Sequence, residues 1–213
     1  MQIIKDFVPE SKYSLKCTYA MNPEFIVVHN TGNDASAKNE IAYMKNNDSA
    51  TSYHFAIDDI EVRQGIPLDR NAWHAGDGSV GNGNRCGIGI EICYSKSGGE
   101  RFDKAEDNAA QFIAKLLKEH GWGIERVKKH QDFSEKYCPH RTLNLGWDRF
   151  LKKVESYMNN ESANELTTVN DIVWELANRG IITNKELWLL KLEADTDAYW
   201  LARKCANYIR EGD

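Results

Sequence analysis

The stretch Gly87–Tyr94 reads Gly-Ile-Gly-Ile-Glu-Ile-Cys-Tyr, and it constrains the fold more than any other part of the chain. An apolar run this short, with three isoleucines and turn-forming segments before it, predicts a buried strand. Its glycines let another group approach the backbone closely. Glu91 conflicts with that environment. A lone carboxylate is costly to bury in an apolar strand, so its presence points to a functional reason.

Other elements follow from the same kind of reading. Phe25–Val28 is a β-branched run ending at His29 and predicts a second buried strand. Tyr53–Asp58 alternates, and Glu61–Ile66 follows an Asp58-Asp59 turn, giving two more. Arg126–Lys129 is extended and ends at His130. Helices are expected over about 35–46, 103–120 and 146–158. In the second, Ala105, Ala109, Phe112, Ile113, Leu116 and Leu117 share one face, and Gly121 can supply the left-handed residue that ends it. Strands alternating with helices give a mixed α/β domain over 1–158.

Residues 159–165 (Asn-Asn-Glu-Ser-Ala-Asn-Glu) are polar and aperiodic and read as a linker. Beyond them the pattern is helical. Thr168 with Asp171, and Thr183 with Glu186, resemble capping boxes. Gly180 sits where a first helix should stop. Leu201, Ala202, Cys205, Tyr208 and Ile209 repeat at helical spacing. Residues 166–213 are therefore expected to form a small all-α domain of three helices.

Composition removes several function classes. A hydrophobic fraction of 41% supports a packed core, and a net charge of -5 with no basic stripe speaks against nucleic-acid binding. No apolar run is long enough to span a bilayer, so no membrane partner is expected. The first nine residues lack the pattern of a secretory signal. Five cysteines at irregular spacing fit reduced thiols in a cytoplasmic protein better than a disulfide framework.

His29, His130 and Cys138 are the residues best placed to hold a metal. A strand-end histidine followed by a loop cysteine can close on one ion, and three protein ligands with one open position is the catalytic zinc pattern. Spacing alone does not decide it, since neither Cys-x-x-Cys nor His-Glu-x-x-His occurs. The bland readings are a core histidine, a surface histidine beside Lys128 and Lys129, and a small buried hydrophobe. His54 points away from Tyr53 along its strand and reads as structural. His120 suits a helix C-terminus. His140 is near enough to Cys138 to be weighed as a ligand.

The ordered set His29-Asn30-Thr31-Gly32, Tyr53-His54-Phe55, Ala72-Trp73-His74-Ala75-Gly76, Gly87-Ile88-Gly89-Ile90-Glu91, His130 and Lys136-Tyr137-Cys138-Pro139 spans roughly residues 20–155. In that order these segments resemble the zinc amidase family shared by phage lysins, bacterial N-acetylmuramoyl-L-alanine amidases and animal peptidoglycan recognition proteins. The resemblance implies a central mixed β-sheet flanked by helices and a Zn2+ ion held by His29, His130 and Cys138. Some members carry Asp in place of the Cys. It further implies Glu91 as the acid/base carboxylate and Lys136 as a basic group near the third ligand. Members without this Glu rely on a Tyr at the position of Tyr53; this chain has both, which leaves the division of labour open. Trp73 and His74 are expected to line the substrate groove.

The reaction implied is hydrolysis of the amide between N-acetylmuramic acid and the first L-alanine of the peptidoglycan stem peptide. Some members of the family bind wall fragments without cutting, usually after losing a zinc ligand, and that recognition role is the alternative. The apparent lack of a signal suits a phage or prophage endolysin of a clostridial-type Gram-positive host, which stays in the cytoplasm until lysis. The tail resembles C-terminal modules of such lysins, implying a cell-wall polysaccharide as its partner, with homo-oligomerisation as its other role. From Leu166 onward it carries six basic and eight acidic residues, so charge alone would not draw it to a phosphate-bearing wall polymer.

Overall fold

The computed structural model describes residues 3–163, 169–195, 198–199, 201–202 and 205–206. The chain divides into two compact units, Met1–Met158 and Asn159–Asp213.

In the first unit the elements run β1 (Ile3–Lys5), α1 (Tyr13–Lys16), β2 (Phe25–Asn30), α2 (Ala37–Asn46), β3 (Phe55–Ile57), β4 (Val62–Gln64), α3 (Asn82–Cys86), β5 (Gly87–Ile92), α4 (Glu100–His120), β6 (Val127–Lys129), α5 (His140–Leu145) and α6 (Trp147–Ala163), which crosses the boundary between the units. The strands form one mixed sheet in the order β1-β4-β3-β5-β2-β6. Only β3 and β4 pair antiparallel; every other neighbour pair is parallel. Strands inside a sheet covered on both faces read as continuous apolar runs, which explains why β2 is buried along its whole length. The β2–β5 register sets His29 opposite Glu91. This one pairing puts the expected ligand and the anomalous carboxylate side by side at the C-terminal end of the sheet.

Helix α4 supplies the largest apolar face, burying Phe102, Ala105, Ala109, Phe112, Ile113, Leu116 and Leu117. It ends at Gly121 with φ 66°, where Trp122 N–H donates to Leu117 O at 2.8 Å in a Schellman closure. Helix α2 is capped by Ser36, whose Oγ accepts from Asn39 N–H.

The structure differs from the sequence reading at several boundaries. β1 and the short helices α1, α3 and α5 were not expected; each is too short to show periodicity. The helix expected to stop at residue 158 continues to Ala163. Of the expected linker, residues 159–163 are helical, because nothing in Asn-Asn-Glu-Ser-Ala breaks a helix already propagating; 164–165 lie outside the described residues.

In the second unit, α7 (Val169–Asn178) and α8 (Lys185–Ala194) pack around Ile172, Val173, Leu176, Ile182 and Leu192. Gly180, at φ 70°, ends α7 as expected. Asn184, not Thr183, caps α8 by accepting from Leu187 N–H at 3.1 Å. The other expected cap, Thr168, and most of the third helix lie outside the described residues; 198–199, 201–202 and 205–206 are helical. Among the described residues no helix is long and apolar enough to cross a membrane, and Cys17, Cys86, Cys93, Cys138 and Cys205 are all free thiols.

Candidate active site

Three donors converge beyond the C-terminal ends of β2 and β6. His29 is the next-to-last residue of β2, His130 directly follows β6, and Cys138 lies just before α5. Nδ1 of His29 stands 2.9 Å from Nδ1 of His130 and 3.9 Å from Sγ of Cys138, and the three ligand atoms all lie within 4.8 Å of one another. All three residues are buried. Asn30 ties the cluster together. Its Oδ1 accepts from Arg141 N–H (2.9 Å) and Thr142 N–H (3.1 Å), acting as a remote cap for α5 and fixing the approach of the Cys138 loop.

The surroundings hold both imidazoles of this cluster in the neutral form. Burial, reinforced by the charges of neighbouring imidazoles and Lys136, holds His29 well below the usual histidine range. Burial and Lys136 bring His130 down to about 4. Neutral imidazoles are the form that ligates. Burial and the nearby Glu91 push the Cys138 thiol up to about 11, against backbone N–H groups of Asn30 and His140 that favour the thiolate. Two neutral imidazoles and a thiol facing one another form a donor set that suits zinc, and the residues present fit such an ion.

Beside the donors, Glu91 opens onto a cavity of about 300 Å³ lined by Asn30, Asn33, Glu40, Tyr43, Thr51, Tyr53 and Lys136 among others. Its Oε2 is buried and has no hydrogen-bond partner among the described residues. Desolvation and the like charge of Glu40 push it up to about 8, and Lys136 pulls the other way. A carboxylate so placed can take up and release a proton near neutrality. Lys136 is exposed at the cavity edge.

Tyr53 is buried and donates its hydroxyl to Glu40, at 3.0 Å to Oε2 and 2.9 Å to the backbone carbonyl. The same carboxylate accepts from Asn33 Nδ2 at 2.6 Å. Glu40 was missed in the sequence, although it lies on the α2 stripe that buries Ala37, Ile41 and Met44. An acid on a buried stripe was the signal.

His74, expected with Trp73 to line the substrate groove, is not among the residues that line this cavity. It is buried, and its Nδ1 lies 2.9 Å from Nε2 of His29, on the side of that ring away from the other donors. Trp73 is half-buried, edge-on to Tyr19 with ring centres 5.9 Å apart, and is not among the cavity-lining residues. Both sit in a loop pinned by backbone bonds, which turns His74 inward and Trp73 toward Tyr19. His54 is structural as expected: its Nδ1 accepts from Gly89 N–H and its Nε2 donates to Arg70 O, both at 2.9 Å. His140 is turned to Ser95 O at 3.3 Å and stays outside the donor cluster.

A family model described as N-acetylmuramoyl-L-alanine amidase matches residues 19–141. The chain is 61% identical over 156 residues to the N-acetylmuramoyl-L-alanine amidase XlyB of Bacillus subtilis (strain 168), covering 73% of this chain and 49% of that protein. It is 48% identical over 187 residues to the N-acetylmuramoyl-L-alanine amidase CwlA of a Bacillus species, covering 87% of this chain and 72% of that protein. The solved structure of PlyL superposes with a TM-score of 0.72 at 52% identity, covering 74% of this chain and 99% of that one. The chain thus spans about half the length of XlyB.

Proposed function

Because the chain belongs to the N-acetylmuramoyl-L-alanine amidase family, we propose that it hydrolyses the amide joining N-acetylmuramic acid to the L-alanine of the peptidoglycan stem, with zinc held by His29, His130 and Cys138. The observation that carries this reading is the buried Oε2 of Glu91, without a hydrogen-bond partner among the described residues, beside three converging metal donors at the wall of a cavity. When bound, zinc supplies Lewis acidity toward the amide carbonyl and lowers the pKa of water. Glu91 takes the proton from the attacking water and returns it to the departing L-alanine nitrogen. Lys136, at the cavity edge, offers its ammonium to the negative charge that develops on the former carbonyl oxygen. Tyr53 spends its hydroxyl on Glu40, which favours Glu91 as the proton carrier and leaves Tyr53 to shape the cavity wall. Recognition without cleavage would need neither the full donor set nor a carboxylate kept free.

The second unit is proposed as a wall-binding module, and the whole chain as a lytic enzyme of endolysin type. Digestion of purified walls tests the reaction. New L-alanine amino termini should appear without new reducing sugar ends; reducing ends in their place would mean that a glycan bond is cut.

A further inference from the structure

We propose that His74 is a positioning residue that fixes the tautomer of His29, so that the Nδ1 lone pair of His29 is always presented to the metal. The inference rests on the zinc reading above.

The hydrogen bonds themselves carry the argument. Nε2 of His74 lies 3.2 Å from Gly87 O. A carbonyl can only accept, so Nε2 of His74 must hold the proton. His74 is buried, and among the described residues no acidic side chain is a hydrogen-bond partner of it, so it is held neutral and its Nδ1 is left as an acceptor. Nδ1 of His74 lies 2.9 Å from Nε2 of His29. His29 must therefore carry its own proton on Nε2, and its Nδ1 keeps the lone pair that faces His130 and Cys138. Proton positions thus follow in one direction from a single backbone carbonyl on β5 to the metal donor on β2.

The surroundings hold this relay in place. The two rings meet edge to face, with centres 5.0 Å apart. Asn84 Oδ1 accepts from the N–H groups of His74 and Ala75, both at 2.8 Å. Asp77 in turn holds Gly83 and Asn84 by their N–H groups. Gly89 is the floor under the ring: a Cβ there would come within 2.7 Å of His74 Cδ2. The glycine in β5 is thus required for the imidazole to lie flat against the strand. Ligating histidines commonly donate their second N–H to a carboxylate or carbonyl, and losing that partner typically costs about 10- to 100-fold in metal affinity. Here a neutral histidine takes that role.

Two measurements on the full chain test this. Long-range proton–nitrogen correlation spectra of the metal-free protein report which His29 nitrogen is protonated. The Nε2–H form is expected in the wild type, with a mixture of tautomers in His74→Leu; an Nδ1–H form in the wild type would overturn the proposal without any variant. Competition with a chromophoric chelator then reads zinc affinity directly. His74→Leu should bind zinc about 10- to 100-fold more weakly, and His74→Asn, whose amide oxygen can accept near the position of Nδ1, should recover much of that loss. Equal affinity in wild type and His74→Leu overturns the positioning role while leaving the zinc centre standing. A wild type that binds no zinc overturns both.

Discussion

At the scale of the residue, Glu91 is the group on which most depends. Desolvation at the cavity wall and the like charge of Glu40 push its carboxyl up to about 8, with Lys136 pulling the other way. The sign of the linkage is fixed. Between the unfolded value near 4.5 and about 8 the folded state holds the extra proton, so this group lowers stability as pH rises through that window. Glu91→Gln should therefore unfold at a higher temperature than the wild type in metal-free protein at pH 9. The gain should be about 1 kcal/mol or more and vanish below about pH 5, as thermal melts at the two pH values will show. Lys136→Ala should lower kcat about 100-fold or more with KM little changed if its charge serves the developing oxyanion; steady-state kinetics on a soluble muramyl peptide separate this from a binding role. Cys138→Ser should lose most bound zinc by metal analysis, and full occupancy would remove that ligand assignment. The positions of His29, His130, Cys138 and Glu91 were legible in the sequence because each breaks a local pattern or completes the ordered motif set. The inward turn of His74 was not: no periodicity reports which way a loop side chain faces, and here backbone bonds to Asn84 and Ser52 decide it.

At the scale of the element, the site is a product of strand register. Pairing β2 with β5 places His29 opposite Glu91, and a one-residue slip would send one of them to the other face of the sheet. The apolar runs announced β2 and β5, and amphipathicity announced α2 and α4. β1 and the short helices gave no comparable signal, since three to six residues cannot display a period. Polarity alone does not mark the end of α6, because residues 159–163 contain no residue that stops a helix. Two elements meet at Asn30, whose side chain caps α5 from the end of β2. Asn30→Ala should cost about 1–2 kcal/mol, as other lost caps do, and should also weaken zinc binding because the Cys138 loop is then less fixed. Chemical denaturation and chelator competition measure the two effects separately; a stability loss with unchanged zinc affinity would show that the cap does not reach the metal.

At the scale of the whole molecule, the two compact units carry separate hydrophobic cores. The second is small, and a domain of its size buries little apolar surface; Trp188 and Tyr199 pack against its core rather than standing free of it. If the second unit holds the enzyme on the wall, a chain ending at Met158 should hydrolyse soluble fragments at the full rate and lyse intact cells much more slowly, because tethering raises local substrate concentration without touching the site. Equal lysis by both chains would assign the second unit another role, such as self-association. The central claim is that the His29, His130 and Cys138 centre and the adjacent Glu91 form one amide-cleaving site. Its most direct test is mass-spectrometric scoring of a muramyl peptide treated with wild type and Glu91→Gln, each first shown to hold zinc. The expected result is one zinc per chain in both, cleavage by the wild type at the lactyl–L-alanine amide, and a rate about 100-fold or more lower in the variant. Near-normal turnover by zinc-loaded Glu91→Gln, or cleavage at a different bond, would contradict it.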